Sequence, residues 1–414
     1  MGGARQGRRE RAYWFKYGRD RGRRLAAIQR GPAAQPMFST SPPRDDYNAF
    51  LAAPAEQPDG IALGVKDLFD TAGLVTTYGS AIFRDHVPDE TAEAVRRLEN
   101  AGYAVVGKTN LHEFAYGITS ENPHFGDVVN PLDRGRIPGG SSGGSAAALA
   151  ARLCDVALGT DSAGSIRIPA ACCGVVGFKP THGRVPMDGV FPLAPSFDTA
   201  GPMGRSVEDC TALMGALEPG LRPQTLESLE DVHVGLAWLD VAEPLVRERV
   251  SAAAELFSRH GSLDFPFPGD VGPAFMREAA DVHRELFTEH RELYGANVRT
   301  KIERCLRVTD GEVEAAQAAR SRYREDCLEL MGDFDLLVTP TLAFVAPPAG
   351  IGDLALRERV LRLTYPISML GWPALALPCG SAEAGLPASL QLVGRPGDDA
   401  LVLAAGAAIE RRLR

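Results

Sequence analysis

At 414 residues, 45% apolar and 23% charged, the chain has the composition of an ordinary globular protein, with room for one large core or two smaller ones. No run approaches the ~18 apolar residues of a membrane-spanning helix, and the basic N-terminal stretch lacks the apolar segment of a secretory signal. Aromatic residues, at 7%, are too sparse to suggest stacking platforms for nucleic acid.

The net charge of −9 conceals an asymmetry: residues 1–30 carry ten Arg or Lys against Glu10 and Asp20, a local +8, so the remainder carries −17. Such an arm can bind nucleic acid or anionic lipid, or act as a transit peptide. It has no sustained apolar periodicity, however, and a more typical acidic sequence begins at Met37. Residues 1–36 are therefore expected to be a disordered extension, or one that reflects a start assigned too early. The seven cysteines are odd in number and match no zinc or CxxC spacing, which predicts reduced, buried thiols in a cytoplasmic protein.

In chain order, 45–53 reads as a short helix leading to a strand over 61–65. A helix over 91–101, with Val95 and Leu98 on one face, feeds a strand at 104–106. The glycine-rich 139–144 then gives way to a strong helix former at 145–151 and a buried strand at 156–158. A helix over 206–217 is entered through Ser206, with Glu208 and Asp209 in its first turn. Residues 231–239 return to strand character, 243–333 are mostly helical and read as a cap-like segment, and 334–339 is a buried strand running into Pro340. Strands at 373–377 and 388–393 and a helix at 400–412 close the chain. The alternation of strand and helix predicts an α/β fold with partly parallel strands, residues 37–414 forming one domain.

The chemistry concentrates between Arg136 and Pro169. Two glycine-cradled serines, Ser141 in Pro138-Gly139-Gly140-Ser141-Ser142-Gly143-Gly144-Ser145 and Ser165 in Gly159-Thr160-Asp161-Ser162-Ala163-Gly164-Ser165, lie 24 residues apart. An isolated Lys66 stands upstream in Gly64-Val65-Lys66-Asp67. The small residues at 160–165 let successive backbone N–H groups converge on one oxygen, the usual device for an oxyanion. Ser165 suits a nucleophile, and Ser141, able to donate and accept, suits a proton relay to Lys66 as base. Lys66 must then be neutral, which requires burial, and the adjacent Asp67 would oppose that unless it points elsewhere.

Other readings compete. The glycine loop can be a flexible turn or a phosphate cradle, but no GK[ST] follows it. It also matches G-x-S-x-G twice, without the strand that this motif requires. His112 and His182 lie nearest the loops, yet nothing in their spacing marks a Ser-His-Asp triad, and structural hydrogen bonding is the better expectation. Cys172 and Cys173 read as buried small hydrophobes.

Taken together with Gly107-Lys108-Thr109-Asn110, Gly174-Val175-Val176-Gly177-Phe178-Lys179-Pro180-Thr181, Leu336-Leu337-Val338-Thr339-Pro340-Thr341 and Leu390-Gln391-Leu392-Val393-Gly394, these loops give the chain a long ordered string of motifs over about 48–410. In this it resembles the amidase signature family. The resemblance implies a single α/β/α domain with a mixed central sheet, no cofactor and no metal. It implies Lys66 as base, Ser141 as a relay serine after a cis peptide bond, Ser165 as acyl-enzyme nucleophile, and backbone N–H groups of Ser162, Ala163, Gly164 and Ser165 as the oxyanion hole. Lys108, Asp161 and Arg167 match family positions read here as structural support. Ala163 stands where many members have glycine, which is tolerable if its φ is negative.

The resulting expectation is an amidase acting on a small carboxamide, with no membrane partner and with a homodimer left open. One alternative is the A subunit of a tRNA-dependent amidotransferase, the sole reading in which nucleic acid is a partner. Against it, such subunits usually carry Tyr where His182 follows Thr181, and an Arg-Tyr-Gly turn where this chain has Met187-Asp188-Gly189. An allophanate-type hydrolase and a decayed scaffold are further alternatives. Rings in 116–120, 191–197 and 365–372 hint at an apolar or aryl acyl group.

Overall fold

The structure, a computed structural model, describes residues 45–413; the basic arm at 1–36 lies outside them. The chain opens with β1 (Phe50–Ala52) and β2 (Ile61–Lys66), then α1 (Glu93–Asn100) and β3 (Tyr103–Thr109). Next come α2 (Gly143–Ala150), β4 (Val156–Asp161), α3 (Arg167–Cys173), β5 (Val176–Lys179) and β6 (Thr199–Gly204). Helix α4 (Val207–Leu217) leads to β7 (His233–Leu236), α5 (Pro244–Ala254), β8 (Arg259–Ser262), α6 (Gly272–His290), α7 (Ala296–Cys305) and α8 (Asp310–Leu330). The chain closes with β9 (Leu336–Pro340), α9 (Asp353–Leu361), α10 (Tyr365–Leu370), β10 (Ala374–Ser381), β11 (Pro387–Val393) and α11 (Asp399–Leu413). None of these helices is long and apolar enough to cross a membrane.

The 11 strands of the described residues join one sheet in the order β1-β3-β2-β4-β6-β5-β10-β11-β9-β7-β8. The sheet is mixed: β2 runs parallel to β3 and β4, and β7 to β8 and β9, whereas β4, β6, β5, β10, β11 and β9 pair antiparallel in turn. Side chains alternate between two cores because successive strand residues point to opposite faces. Leu375 and Leu377 of β10 join Val207 and Leu213 of α4 and Val402 and Ile409 of α11 in one core. Ala376 joins the other, with Ala146–Leu149 of α2, Ile166 just before α3 and Ala170 within it. Helices thus cover both faces of a single α/β domain.

The expected helix at 45–53 is instead a turn followed by β1, paired antiparallel with β3. Asp45 accepts the N–H groups of Tyr47, Ala49 and Phe50, as a helix cap does. Asn48 then takes φ 51°, which breaks the helical path. The strand expected at 231–239 ends early at Leu236, and Trp238 takes φ 59°. The helical stretch 243–333 also contains β8, which completes the far edge of the sheet, and its α5 packs on β9, β10 and β11.

Topology positions the site. Since β2 and β4 are parallel neighbours, with Val65 opposite Leu158, their C-terminal ends place Lys66 and Asp161 at the same edge. Helices α2 and α3 begin at that edge too. Helix α2 is nearly all Gly, Ala and Ser, which permits close approach: a Cβ on Gly144 would meet the Asn110 carbonyl oxygen at 2.3 Å.

Ser206 and Asp209 form a reciprocal cap at the start of α4, Ser206 Oγ accepting the Asp209 N–H at 3.1 Å and Asp209 Oδ2 the Ser206 N–H at 2.9 Å. Ser206→Ala is expected to lower stability by about 1 kcal/mol in denaturant unfolding. An unchanged midpoint would remove the cap from the account.

Candidate active site

Lys66 ends β2 fully buried, and its amine meets three hydroxyls: Ser141 Oγ at 2.8 Å, Ser142 Oγ at 2.9 Å and Thr160 Oγ1 at 2.8 Å. Among the described residues no carboxylate touches it. Burial lowers its pKa to about 7, against the smaller upward pull of the charges on Asp161 and Asp198. Ser142 donates its own proton to the Thr160 carbonyl at 3.2 Å, so its hydroxyl oxygen is free to accept from Lys66. A neutral amine has two N–H donors and one lone pair. With Ser142 and Thr160 taking the two N–H groups, the lone pair is left for the Ser141 hydroxyl.

Asp67 points away from this cluster. It pairs with the Lys108 ammonium at 3.2 Å and accepts from the N–H and hydroxyl of Thr77 at 2.8 and 2.6 Å. The opposition anticipated from its position beside Lys66 is therefore neutralised at its source.

Ser141 follows a cis Gly140–Ser141 peptide. Its carbonyl oxygen accepts from the Ser120 hydroxyl at 3.4 Å, and Ser120 also accepts the Gly143 N–H at 3.1 Å. The two serine loops are tied together by the Ser142 N–H, which donates to the Ser165 carbonyl at 3.2 Å. Ser165 retains 7% exposure whereas Lys66 and Ser141 have none, so of the three residues Ser165 is the one open to solvent.

The loop before Ser165 is shaped by Asp161, whose carboxylate accepts the Gly164 N–H at 2.7 Å and the Ile166 N–H at 3.2 Å. Burial alone would raise the Asp161 pKa, but the Arg167 guanidinium, paired with it at 2.9 Å, holds it below the usual range. Arg167 spends its remaining donors on the Thr364 carbonyl, Gln391 Oε1 and Ser368 Oγ, pinning the loop to α10 and β11. The expectation that Gly164 contributes an oxyanion N–H is corrected here, because that donor is already committed to Asp161. The N–H groups of Ser162, Ala163 and Ser165 are the remaining candidates. Gly164 has φ +138°, and a Cβ there would meet Thr364 Oγ1 at 2.3 Å, so no other residue fits. Ala163 lies outside the positive-φ region and its carbonyl accepts from Thr364 Oγ1 at 2.8 Å.

Three residues at the site escape the sequence reading. Ser142 and Thr160 adjoin expected residues, but nothing in the motif marks them as partners of the amine. Asp198 accepts from Ser162 Oγ at 2.5 Å and from the Leu193 and Ala194 N–H groups, a contact 36 residues distant in the chain.

The other candidates lie elsewhere. The His112 imidazole bonds Asn297 and that of His182 the Pro195 carbonyl, and burial holds both near pKa 4. All seven cysteines are buried and free, and burial pushes the Cys172 thiol up to about 12. Among the described residues no group of three or more His, Cys, Asp or Glu is placed to hold a metal ion.

Arg167→Met would leave Asp161 buried without its countercharge, with an expected loss of about 3–5 kcal/mol in equilibrium unfolding. A loss below 1 kcal/mol would contradict the scaffolding role given to this pair.

Comparison with known proteins gives the family. The family model described as Amidase matches residues 46–403. The A subunit of glutamyl-tRNA(Gln) amidotransferase from Myxococcus xanthus is 36% identical over 87% of this chain and 84% of its own. A crystal structure described as an amidase shares 38% identity and superposes with a TM-score of 0.78, covering 86% of this chain and 85% of that one. The corresponding A subunit from Thermotoga maritima, at 27% identity, superposes with a TM-score of 0.75 over 88% of this chain and 87% of its own. The chain belongs to the amidase signature family and is an enzyme of carbon–nitrogen bond chemistry.

Proposed function

We propose that the protein hydrolyses small carboxamides through a seryl acyl-enzyme, with Ser165 as nucleophile, Ser141 as relay and Lys66 as base. The observation that carries this reading is the buried Lys66 amine, 2.8 Å from Ser141 Oγ and, among the described residues, without a carboxylate partner. As Ser165 Oγ attacks the carbonyl carbon, its proton passes to Ser141 and that of Ser141 to Lys66. The tetrahedral oxyanion is met by backbone N–H groups of Ser162, Ala163 and Ser165, each such donor contributing about 3 kcal/mol to lowering the barrier. The relayed proton then goes to the departing nitrogen, the carbon–nitrogen bond breaks, and ammonia or an amine leaves. Water attacks the ester, giving its proton to the same relay. Collapse of the second tetrahedral intermediate returns a proton to Ser165 Oγ and frees the carboxylic acid.

A second reading, glutamine hydrolysis as the A subunit of an amidotransferase, is favoured by the 36% identity to such subunits. It shares the nucleophile and differs in substrate and in needing partner subunits. The substitutions at His182 and at Met187-Asp188-Gly189 support the free-standing amidase instead.

Ammonia release from aliphatic, aryl and amino-acid amides, glutamine included, separates these readings. Turnover of simple amides that disappears in Ser165→Ala supports the amidase. Turnover of glutamine alone supports the amidotransferase reading, and turnover retained in Ser165→Ala overturns the assignment of the nucleophile.

The pH dependence follows from Lys66. Only its neutral form accepts a proton, so kcat/KM should rise through pH about 7 and level off above it. The negative charge of Asp198 raises the Lys66 pKa, as does that of Asp161. Asp198→Asn should therefore move the acid limb to lower pH, by about half a unit, while weakening the Ser162 contact. A limb that stays in place would show that Asp198 acts through loop geometry alone.

A further inference from the structure

The loop that carries Ser141 rests on a segment outside its own motif. The Ser141 carbonyl accepts from the His112 N–H at 3.3 Å as well as from the Ser120 hydroxyl. A Cβ on Gly140 would lie 2.9 Å from the Ile118 carbonyl carbon and from the Ser120 nitrogen. Residues 112–120 thus form one wall of the loop. That wall is irregular: Phe114, Ala115 and Ser120 take φ 50°, 57° and 57°. Residues with side chains enter this left-handed region only where their surroundings impose it.

Those surroundings are one face of α7 and the start of α9. Asn297, Lys301 and Cys305, spaced four apart, share a face of α7. Asn297 Oδ1 lies 3.3 Å from His112 Nε2, Lys301 Nζ donates to the Tyr116 carbonyl at 2.7 Å, and Cys305 Sγ lies 3.2 Å from the Tyr116 hydroxyl. Just before the helix, the Gly295 N–H donates to Glu113 Oε2 at 2.9 Å. Asp353, the first residue of α9, accepts the Ile118 N–H on Oδ1 at 2.6 Å and pairs through Oδ2 with the Lys301 ammonium. Lys301 is 4% exposed and Asp353 1%, so the pair is out of water, where a satisfied polar network stiffens what it touches. What it touches is the backbone on both sides of Gly117. From Ile118 a single contact leads to Gly140, the residue before Ser141.

We infer that Lys301 and Asp353 are positioning residues for the proton relay: their ion pair fixes the backbone at Tyr116 and Ile118 and, through Gly140, holds Ser141 at Lys66. The inference rests on the amidase reading above. The pair acts through the segment and not on the reacting atoms. Its loss should show in the step that leans most on the relay. An amide nitrogen must be protonated to leave, whereas p-nitrophenolate leaves without a proton. A displaced Ser141 therefore costs an amide more than the p-nitrophenyl ester of the same acid.

The test measures kcat/KM for propionamide against p-nitrophenyl propionate, and for benzamide against p-nitrophenyl benzoate, in the full chain. Rates are taken per Ser165 labelled by a small alkyl fluorophosphonate, which counts only folded sites. The double variant Lys301→Met/Asp353→Asn removes both charges together and leaves neither buried alone. Asp353→Asn by itself keeps an acceptor for the Ile118 N–H and is the milder change. The amide-to-ester ratio is expected to fall about tenfold in the double variant and about threefold in the single one, for both acyl groups. A ratio that stays constant, whether or not both activities fall, would make the pair a packing element and overturn the proposal. Failure to label wild-type Ser165, or wild-type turnover of the esters and of neither amide, would instead overturn the amidase reading itself.

Discussion

The arrangement depends on keeping one amine out of water with no anion beside it. A lysine buried next to a carboxylate stays protonated, whereas one surrounded by neutral hydroxyls loses its charge near neutrality. Lys66 is in the second situation: Ser141, Ser142 and Thr160 occupy its hydrogen-bonding positions, and the carboxylates of Asp161 and Asp198 act on it only through their fields. Both carboxylates have other partners, Asp161 the Arg167 guanidinium and Asp198 the Ser162 hydroxyl. The adjacent Asp67 is drawn off by Lys108. Three acidic groups near the site are thus each satisfied before they can pair with Lys66.

The same pairs build the scaffold. Asp161 shapes the loop before Ser165 while Arg167 ties that loop to α10 and β11, so electrostatic tuning and loop geometry come from one ion pair. On the other side, Glu278 and Arg320 clamp Ser196, two residues before Asp198. The helices α6 and α8, distant in sequence from both serine loops, are therefore mechanically joined, through Asp198 and Ser162, to the loop before Ser165. Changes in the helical stretch have a direct physical route to the Ser165 loop.

Much of this was legible in the chain. The strand–helix alternation gave the α/β class, and the small-residue runs marked the edge where Lys66, Ser141 and Ser165 belong. The three ring-bearing segments at 116–120, 191–197 and 365–372 were visible as well, without the Phe275 contact through which Tyr116, Phe197 and Tyr365 pack together. What escaped depends on partners far along the chain. The direction taken by Asp67 is decided by Lys108, 41 residues on, and the bond between Asp198 and Ser162 exists only once β4 and β6 have paired. The error at 45–53 has a local cause. Asp45 imitates a helix cap, but Asn48 turns the chain toward an edge position beside β3, and strand pairing overrides the helical pattern.

The central claim is that Lys66, neutral above about pH 7, activates Ser165 through Ser141. The most direct measurement is the rate of Ser165 labelling by a small fluorophosphonate as a function of pH, in wild type and in Lys66→Ala. The account predicts a wild-type rate that rises through an inflection near pH 7, and a variant slower by about 10²-fold or more in which that inflection is gone. The same inflection in both proteins would contradict it, since the titrating base would then be some other group.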